Sequence, residues 1–287
     1  MIHQTSPIAI IGAGQMGTGI ALVSLMAGYR VFLYDLHQPP LEHAQKNMEK
    51  SLAKYLEKGK ISQVQQELAL KGLTTTQDWH HLSKVSLVLE AVPEDLQIKK
   101  TVFAAVNDHI HSGTIVASNT SSIPIGVLAE QVKHKSHFLG IHFFNPVPQL
   151  PLVEIIPTHH VQQDVVQTAK EFAKSLGKTV VISQDTPGFI VNRILFPMIN
   201  EAAFALYESV ATAEDIDLAM RLGTNMPMGP LSLADFVGLD TCLSILKTLE
   251  ERLQNSKYTP CPAFQELVEA GHLGRKSGRG FFVYEEK

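Results

Sequence analysis

Apolar residues along the chain fall into short unbroken runs separated by stretches of helical period, and this alternation stops near residue 187. Residues 8–11, 31–34, 73–76, 85–89, 114–117, 138–141, 152–156 and 179–182 read as strands. Between them lie helical segments. One follows Gly17, repeats Ile20, Val23 and Ala27 on one face and closes at Gly28; others span 39–59, 61–70, 96–110 and 161–176. Strand and helix in alternation predict a Rossmann-like α/β domain with a mostly parallel sheet. Beyond Pro187 no strand pattern is convincing until the last few residues, and the first segment there, 189–207, is apolar on more than one face. An all-α part follows, so the chain divides into 1–185 and 186–287.

The first strand ends in Gly12-Ala13-Gly14-Gln15-Met16-Gly17, and the second ends at Asp35, 18 residues past Gly17. In that order Gly12 permits a tight turn, Gly14 lets backbone approach a pyrophosphate, and Gly17 lets the helix pack close to the sheet. The helix N-terminus then offers free N–H groups to the phosphates. A carboxylate at Asp35 accepts hydrogen bonds from a ribose diol and repels a 2′-phosphate. Leu36, His37 and Gln38 follow it, with no arginine, so NAD is favoured over NADP.

Further polar residues collect where strands end. The 85–89 run leads into Glu90-Ala91-Val92-Pro93-Glu94, and 114–117 leads into Ser118-Asn119-Thr120-Ser121-Ser122, which is either turn material or a set of donors lining a cleft. After 138–141 comes His142-Phe143-Phe144-Asn145-Pro146. In the next strand Glu154 shares a face with Leu152 and Ile156, so it needs a partner such as an imidazole or an exposed edge. Asn192 and Arg193 interrupt the apolar segment after Pro187, the asparagine being either hydrogen-bonded core or a reach into a cleft. Lys46, Lys50, Lys54 and Lys58 recur every fourth residue, as a solvated stripe or a docking face for a phosphorylated ligand.

Bulk properties narrow the partners. A chain of 287 residues with 45% hydrophobic residues can fill real cores. A net charge of −4 without a basic cluster argues against nucleic acid. No apolar run is long enough for a membrane helix, and the first strand begins too early to leave room for a targeting peptide. Two cysteines, Cys242 and Cys261, make neither a disulfide framework nor a metal set and fit a reducing cytoplasm. His134 and His137 have ligand-like spacing but lack a companion carboxylate or thiol, so no metal is expected.

Together the motifs GAGQMG, SNTSS, HFFNPVP, LVE, DTPGFIVNR, MGPLSLAD and KSGRGF, in that order, resemble the 3-hydroxyacyl-CoA dehydrogenase family and its bacterial 3-hydroxybutyryl-CoA members. The resemblance implies an NAD-dependent, reversible oxidation of short (S)-3-hydroxyacyl-CoA substrates, in fatty-acid or butyrate metabolism, by a homodimer. It makes His142 the catalytic base and Glu154 its orienting carboxylate, with Ser121 and Asn192 holding the substrate. It places Glu94, Lys99, Ser121, Asn145 and Lys276 near the nicotinamide half of the cofactor, and Ser51, Lys58 and Ser121 on coenzyme A. One departure is visible: Pro151 stands where the family commonly has lysine. Oxidising a secondary alcohol calls for a base titrating near neutrality, which suits histidine. Two rivals keep the scaffold: a relative acting on a sugar acid or other 3-hydroxy acid without coenzyme A, and a catalytically silent NAD-binding protein.

Overall fold

The computed structural model describes Ile2 and residues 6–284. Contacts divide the chain into two compact units, Met1–Thr186 and Pro187–Lys287. The first runs β1 (Ile8–Ile11), α1 (Gln15–Met26), β2 (Val31–Tyr34), α2 (Gln38–Glu57), α3 (Gln63–Gly72), β3 (Leu73–Thr76), β4 (Leu87–Glu90), α4 (Leu96–His109), β5 (Ile115–Ser118), α5 (Ile125–Ala129), β6 (Phe138–Phe143), β7 (Leu152–Pro157), α6 (Gln163–Ser175) and β8 (Thr179–Ile182).

Its strands form one eight-stranded sheet in the order β3-β2-β1-β4-β5-β6-β7-β8. The first six are mutually parallel, β7 returns antiparallel to β6, and β8 runs parallel to β7. Chain order reverses between β1 and β4, so the carboxyl ends of those strands form the switch point where open α/β sheets hold ligands. β1, β4 and β5 are buried at every position, which is why they appear in the sequence as unbroken apolar runs. Ile10, Leu33, Leu89, Ala117, Leu139 and Ile141 join Ile20 and Phe172 from the helices in one core. Each such aliphatic side chain contributes about 1.5–3 kcal/mol by leaving water.

The second unit contains α7 (Val191–Tyr207), α8 (Ala213–Thr224), α9 (Pro230–Val237), α10 (Leu239–Leu253) and α11 (Pro262–Glu269). Phe196, Ile199, Leu231, Leu246 and Phe264 meet in its core. Several boundaries differ from the sequence reading: β4 and β5 each end one residue later, at Glu90 and Ser118. β6 runs on to Phe143, so His142 lies inside the strand rather than after it. α7 starts at Val191 instead of 189, because Gly188 (φ 77°) and Phe189 (φ 49°) hold left-handed conformations that no helix propagates.

Candidate active site

The β1–α1 turn shows why its glycines are glycines. Gly12 has φ 107°, and a Cβ there would sit 2.6 Å from the carbonyl oxygen of Ala91, so the ends of β1 and β4 touch backbone to backbone. A Cβ on Gly17 would lie 1.8 Å from the carbonyl oxygen of Gly12. Gly14 differs: nothing stands within 4 Å of its would-be Cβ, so the protein itself does not require glycine there. A side chain would instead fill the concavity in front of α1. That helix has no side-chain cap and no acidic residue in its first turn, an arrangement that receives an anion. Ala13, Gln15 and Met16 complete the turn. Asp35 follows β2 directly, with Oδ2 accepting from the Ala13 N–H at 2.9 Å and Oδ1 from the His37 N–H at 3.0 Å. Each oxygen keeps acceptor capacity for a ribose hydroxyl. The open cradle, uncapped helix and carboxylate fit the pyrophosphate and ribose of NAD.

Beside it, buried charges tie β4 to β5. Glu90, fully buried, accepts from Lys99 Nζ at 2.7 Å and Val92 N at 2.8 Å through Oε1, and from Ser118 Oγ at 2.6 Å through Oε2. The Lys99 ammonium is 1% exposed and is shared with Glu94 Oε2 at 3.3 Å. Glu94 Oε1 gathers the next loop, accepting from Thr120 Oγ1 at 2.6 Å, Ser121 N at 3.0 Å, Ser122 N at 2.9 Å and Ser122 Oγ at 2.8 Å. Burial drives the Glu94 carboxyl upward, yet the Lys99 ammonium and these donors outweigh it and hold the group below the usual glutamate range. The network half-buries Ser121 at the rim.

The β6–β7 hairpin supplies the next group. Its register sets His142 directly opposite Glu154, and opposed residues share a face. His142 Nδ1 lies 2.8 Å from Glu154 Oε2; the ring is 5% exposed and the carboxylate 0%. β7 lies between β6 and β8, so Glu154 is not on an edge. A carboxylate only accepts, so Nδ1 carries the hydrogen and the neutral ring has its lone pair on Nε2. Phe144 packs on the imidazole with ring centroids 4.5 Å apart. Asn145 is exposed just beyond.

Further candidates lie on α2. Lys46, Lys50, Lys54 and Lys58 are all exposed, and Ser51 is partly buried on the same helix. Lys58 also lines a cavity of about 860 Å³ with Tyr55, Lys60, Pro151 and Lys178, so the lysine-to-proline departure falls on a wall that already carries three ammonium groups. Lys178 is committed to the loop before β7, donating to the carbonyls of Val147 at 2.5 Å and Leu150 at 2.8 Å, and burial pushes its pKa down.

In the second unit, Asn192 is 9% exposed, and its amide has no hydrogen-bond partner among the described residues of that unit. Asn200, one helix face along, shows the satisfied alternative: its amide donates to Thr259 O and accepts from Cys261 N. Arg193 lies over the ring of Tyr258 at 5.4 Å. Lys276 donates to both oxygens of Asp240 at 2.6 Å. Sequence reasoning passed over Glu90, Lys99's partner. Its signal was akin to the one that marked Glu154: Glu90 is a carboxylate closing an apolar run, as Glu154 is one interrupting such a run.

Residues 7–186 match the profile of the 3-hydroxyacyl-CoA dehydrogenase NAD binding domain, and 188–284 that of the 3-hydroxyacyl-CoA dehydrogenase C-terminal domain. The chain is 45% identical over 277 residues to the 3-hydroxybutyryl-CoA dehydrogenase of Bradyrhizobium diazoefficiens, covering 96% of this chain and 94% of that protein. It is 42% identical over 279 residues to the 3-hydroxybutyryl-CoA dehydrogenase of Mycobacterium tuberculosis, covering 96% and 98%. The crystal structure of (S)-3-hydroxybutyryl-CoA dehydrogenase from Ralstonia eutropha superposes with a TM-score of 0.95 at 37% identity, covering 98% of this chain and all of that one.

Proposed function

The chain belongs to the 3-hydroxyacyl-CoA dehydrogenase family, and from that premise we propose that it oxidises (S)-3-hydroxyacyl-CoA reversibly to 3-ketoacyl-CoA with NAD, on short chains such as 3-hydroxybutyryl-CoA. The observation that carries this reading is the buried contact of 2.8 Å between His142 and Glu154 at the end of β6, on the sheet edge that also bears the Gly12–Gly17 turn. When bound, NAD supplies the acceptor for the hydride leaving the substrate carbon. His142 Nε2 takes the hydroxyl proton, and Glu154 stabilises the imidazolium through Nδ1. In the reverse direction the same ring returns the proton to the ketone.

Ser121, held at the rim by Glu94, donates its hydroxyl to the substrate oxygen, and the amide of Asn192 serves the same substrate. Glu94, Lys99, Asn145 and Lys276 attend the nicotinamide half, with Lys99 acting through Glu90 and Glu94 because its ammonium is enclosed. Ser51 and Lys58 meet coenzyme A, the lysine contributing one cation of the α2 cavity. The exposed apolar side chains of Ile194, Tyr207, Val210, Leu218 and Leu222 support assembly as a homodimer through the helical unit. No described helix is long and apolar enough to cross a membrane. The free, buried Cys242 and Cys261 support a reducing compartment such as the cytoplasm.

The test is NADH oxidation against a ladder of 3-ketoacyl-CoA lengths. The expected result is the highest kcat/KM at four carbons, a fall of about 10²–10⁴-fold in turnover for His142→Ala, and NADH affinity within about twofold of the parent. Near-normal turnover in that variant would remove His142 from the mechanism. Equal rates with substrates lacking coenzyme A would favour a 3-hydroxy-acid dehydrogenase.

A further inference from the structure

We propose that Asn119 is a positioning residue for the His142–Glu154 pair, acting as a one-residue extension of β5 that holds the end of β6. The proposal rests on the reading of His142 as the base. β5 stops at Ser118, and its ladder with β6 ends at the pairing of Ser118 with Gly140. β6 continues to Phe143, where its other side is still paired with β7 through Val153. The segment that carries His142 is therefore bordered by a strand on one side only.

Asn119, the first residue past β5, takes the vacant place. Its side-chain Oδ1 accepts from the Phe143 N–H at 2.8 Å, and its own N–H donates to the carbonyl of Glu90 at 2.8 Å. One residue thus joins the ends of β4, β5 and β6. A turn or capping role does not account for this. The local turn bonds of the segment are made by its neighbours, with Ser118 Oγ accepting from Thr120 N and Thr120 Oγ1 from Ile123 N, whereas Asn119 reaches 24 residues along the chain.

The consequence is geometric. His142 adjoins the residue that Asn119 grips, and its ring must keep Nδ1 on Glu154 while presenting Nε2 to a hydroxyl. Proton transfer tolerates displacement poorly, a shift of about 1 Å costing on the order of a hundredfold in rate. Losing the Oδ1 acceptor frees the end of β6 on its β5 side. The imidazole then moves relative to the bound alcohol, although no atom of Asn119 need touch the substrate.

The experiment compares Asn119→Leu, of similar size without the acceptor, with Asn119→Asp, which keeps an oxygen in place. Asn119→Ser, too short to reach Phe143, is a second removal variant should the leucine impair folding. Each is assayed with acetoacetyl-CoA and NADH, for NADH affinity by fluorescence titration, and in the His142→Ala background. Asn119→Leu and Asn119→Ser are expected to lower kcat about 10- to 100-fold with KM for acetoacetyl-CoA and NADH affinity within about threefold. Asn119→Asp restores most of kcat, and its added charge moves the histidine limb of the pH profile upward. With His142 already replaced, neither removal lowers the residual rate further.

A kcat within threefold of the parent for Asn119→Leu and Asn119→Ser, while His142→Ala is inactive, would overturn the positioning role alone. The same fractional loss with and without His142 would also overturn it. Normal turnover by His142→Ala would instead overturn the underlying reading of the base.

Discussion

In the N-terminal unit one carboxylate, Glu94, gathers the 120–122 loop; in the C-terminal unit another, Asp235, gathers the end of the chain. Asp235 accepts from Phe281 N and Phe282 N at 2.9 Å each and from Tyr284 Oη at 3.0 Å. The tail wraps it so closely that a Cβ on Gly280 would lie 2.0 Å from Oδ1, which explains the glycine in the terminal motif. Both acids hold a loop through several donors, yet they ionise in opposite directions. Burial is the largest influence on Asp235 and lifts it above the usual aspartate range; the N–H donors of Phe282 and Phe281 do not overcome it, and Asp217 adds to the rise. Tyr284 beside it is pushed up to about 12, by burial first and then by Asp235. Glu94 has Lys99 within 3.3 Å. Hydrogen bonds alone organise a loop around a buried acid, whereas holding that acid below its ordinary ionisation range takes a neighbouring cation as well.

The harshest way to break this contrast is Lys99→Met. It leaves Glu90 buried without its counter-charge and should cost about 3–5 kcal/mol of stability in urea unfolding. A stable variant would show Glu94 titrating above the usual range, like Asp235, in an NMR titration. A carboxyl still depressed there would show that the hydroxyls, not the ammonium, set its ionisation. Asp235→Ala should cost about 3 kcal/mol by stranding the N–H groups of Phe281 and Phe282, with hydrogen exchange at 281–284 accelerated. Unchanged exchange would remove Asp235 as the anchor of the tail.

Smaller effects follow from pH. Glu94's depressed pKa means that its contribution is present above the ordinary glutamate value and is lost as pH falls through the folded value. Asp235's raised pKa means the reverse: stability is full below the ordinary aspartate value and declines as pH rises towards the folded one. Glu94→Gln should therefore remove an acid-side loss followed by fluorescence of Trp79, the single tryptophan, which belongs to the N-terminal unit. Asp235→Asn should remove a decline on rising pH in the thermal unfolding curve. Slopes of the opposite sign would contradict the assignment of the two carboxylates. Lys46→Ala, on the solvated face of α2, sets the floor: a change within about 0.5 kcal/mol is expected, and a larger one would show that the lysine stripe is more than surface.

Much of the fold was legible because its central strands are buried on both faces and its helices on one. Ile8, Leu89 and Ala117 therefore stand in unbroken runs, while Val165, Ala169 and Phe172 recur at helical spacing. The dinucleotide turn was legible because Gly12 and Gly17 are dictated by backbone contacts within one short segment. Glu154 was conspicuous as a charge in an apolar strand, but its partner was not, since an edge strand leaves the same trace. Asn119 was hidden for another reason: among small polar residues after a strand, the sequence does not mark which one reaches across to the next strand.

The order of residues thus set the sheet, the helical second unit and the coenzyme turn, because each depends on periodicity or on neighbours within about one turn of chain. Three-dimensional folding settled the β6–β7 register that puts an imidazole against Glu154, the grip of Asn119 on Phe143, and which of two loop-holding acids stands beside an ammonium. Those properties depend on distances of a few ångströms between groups remote along the chain, and a hydrophobic pattern reports burial without reporting what lies opposite.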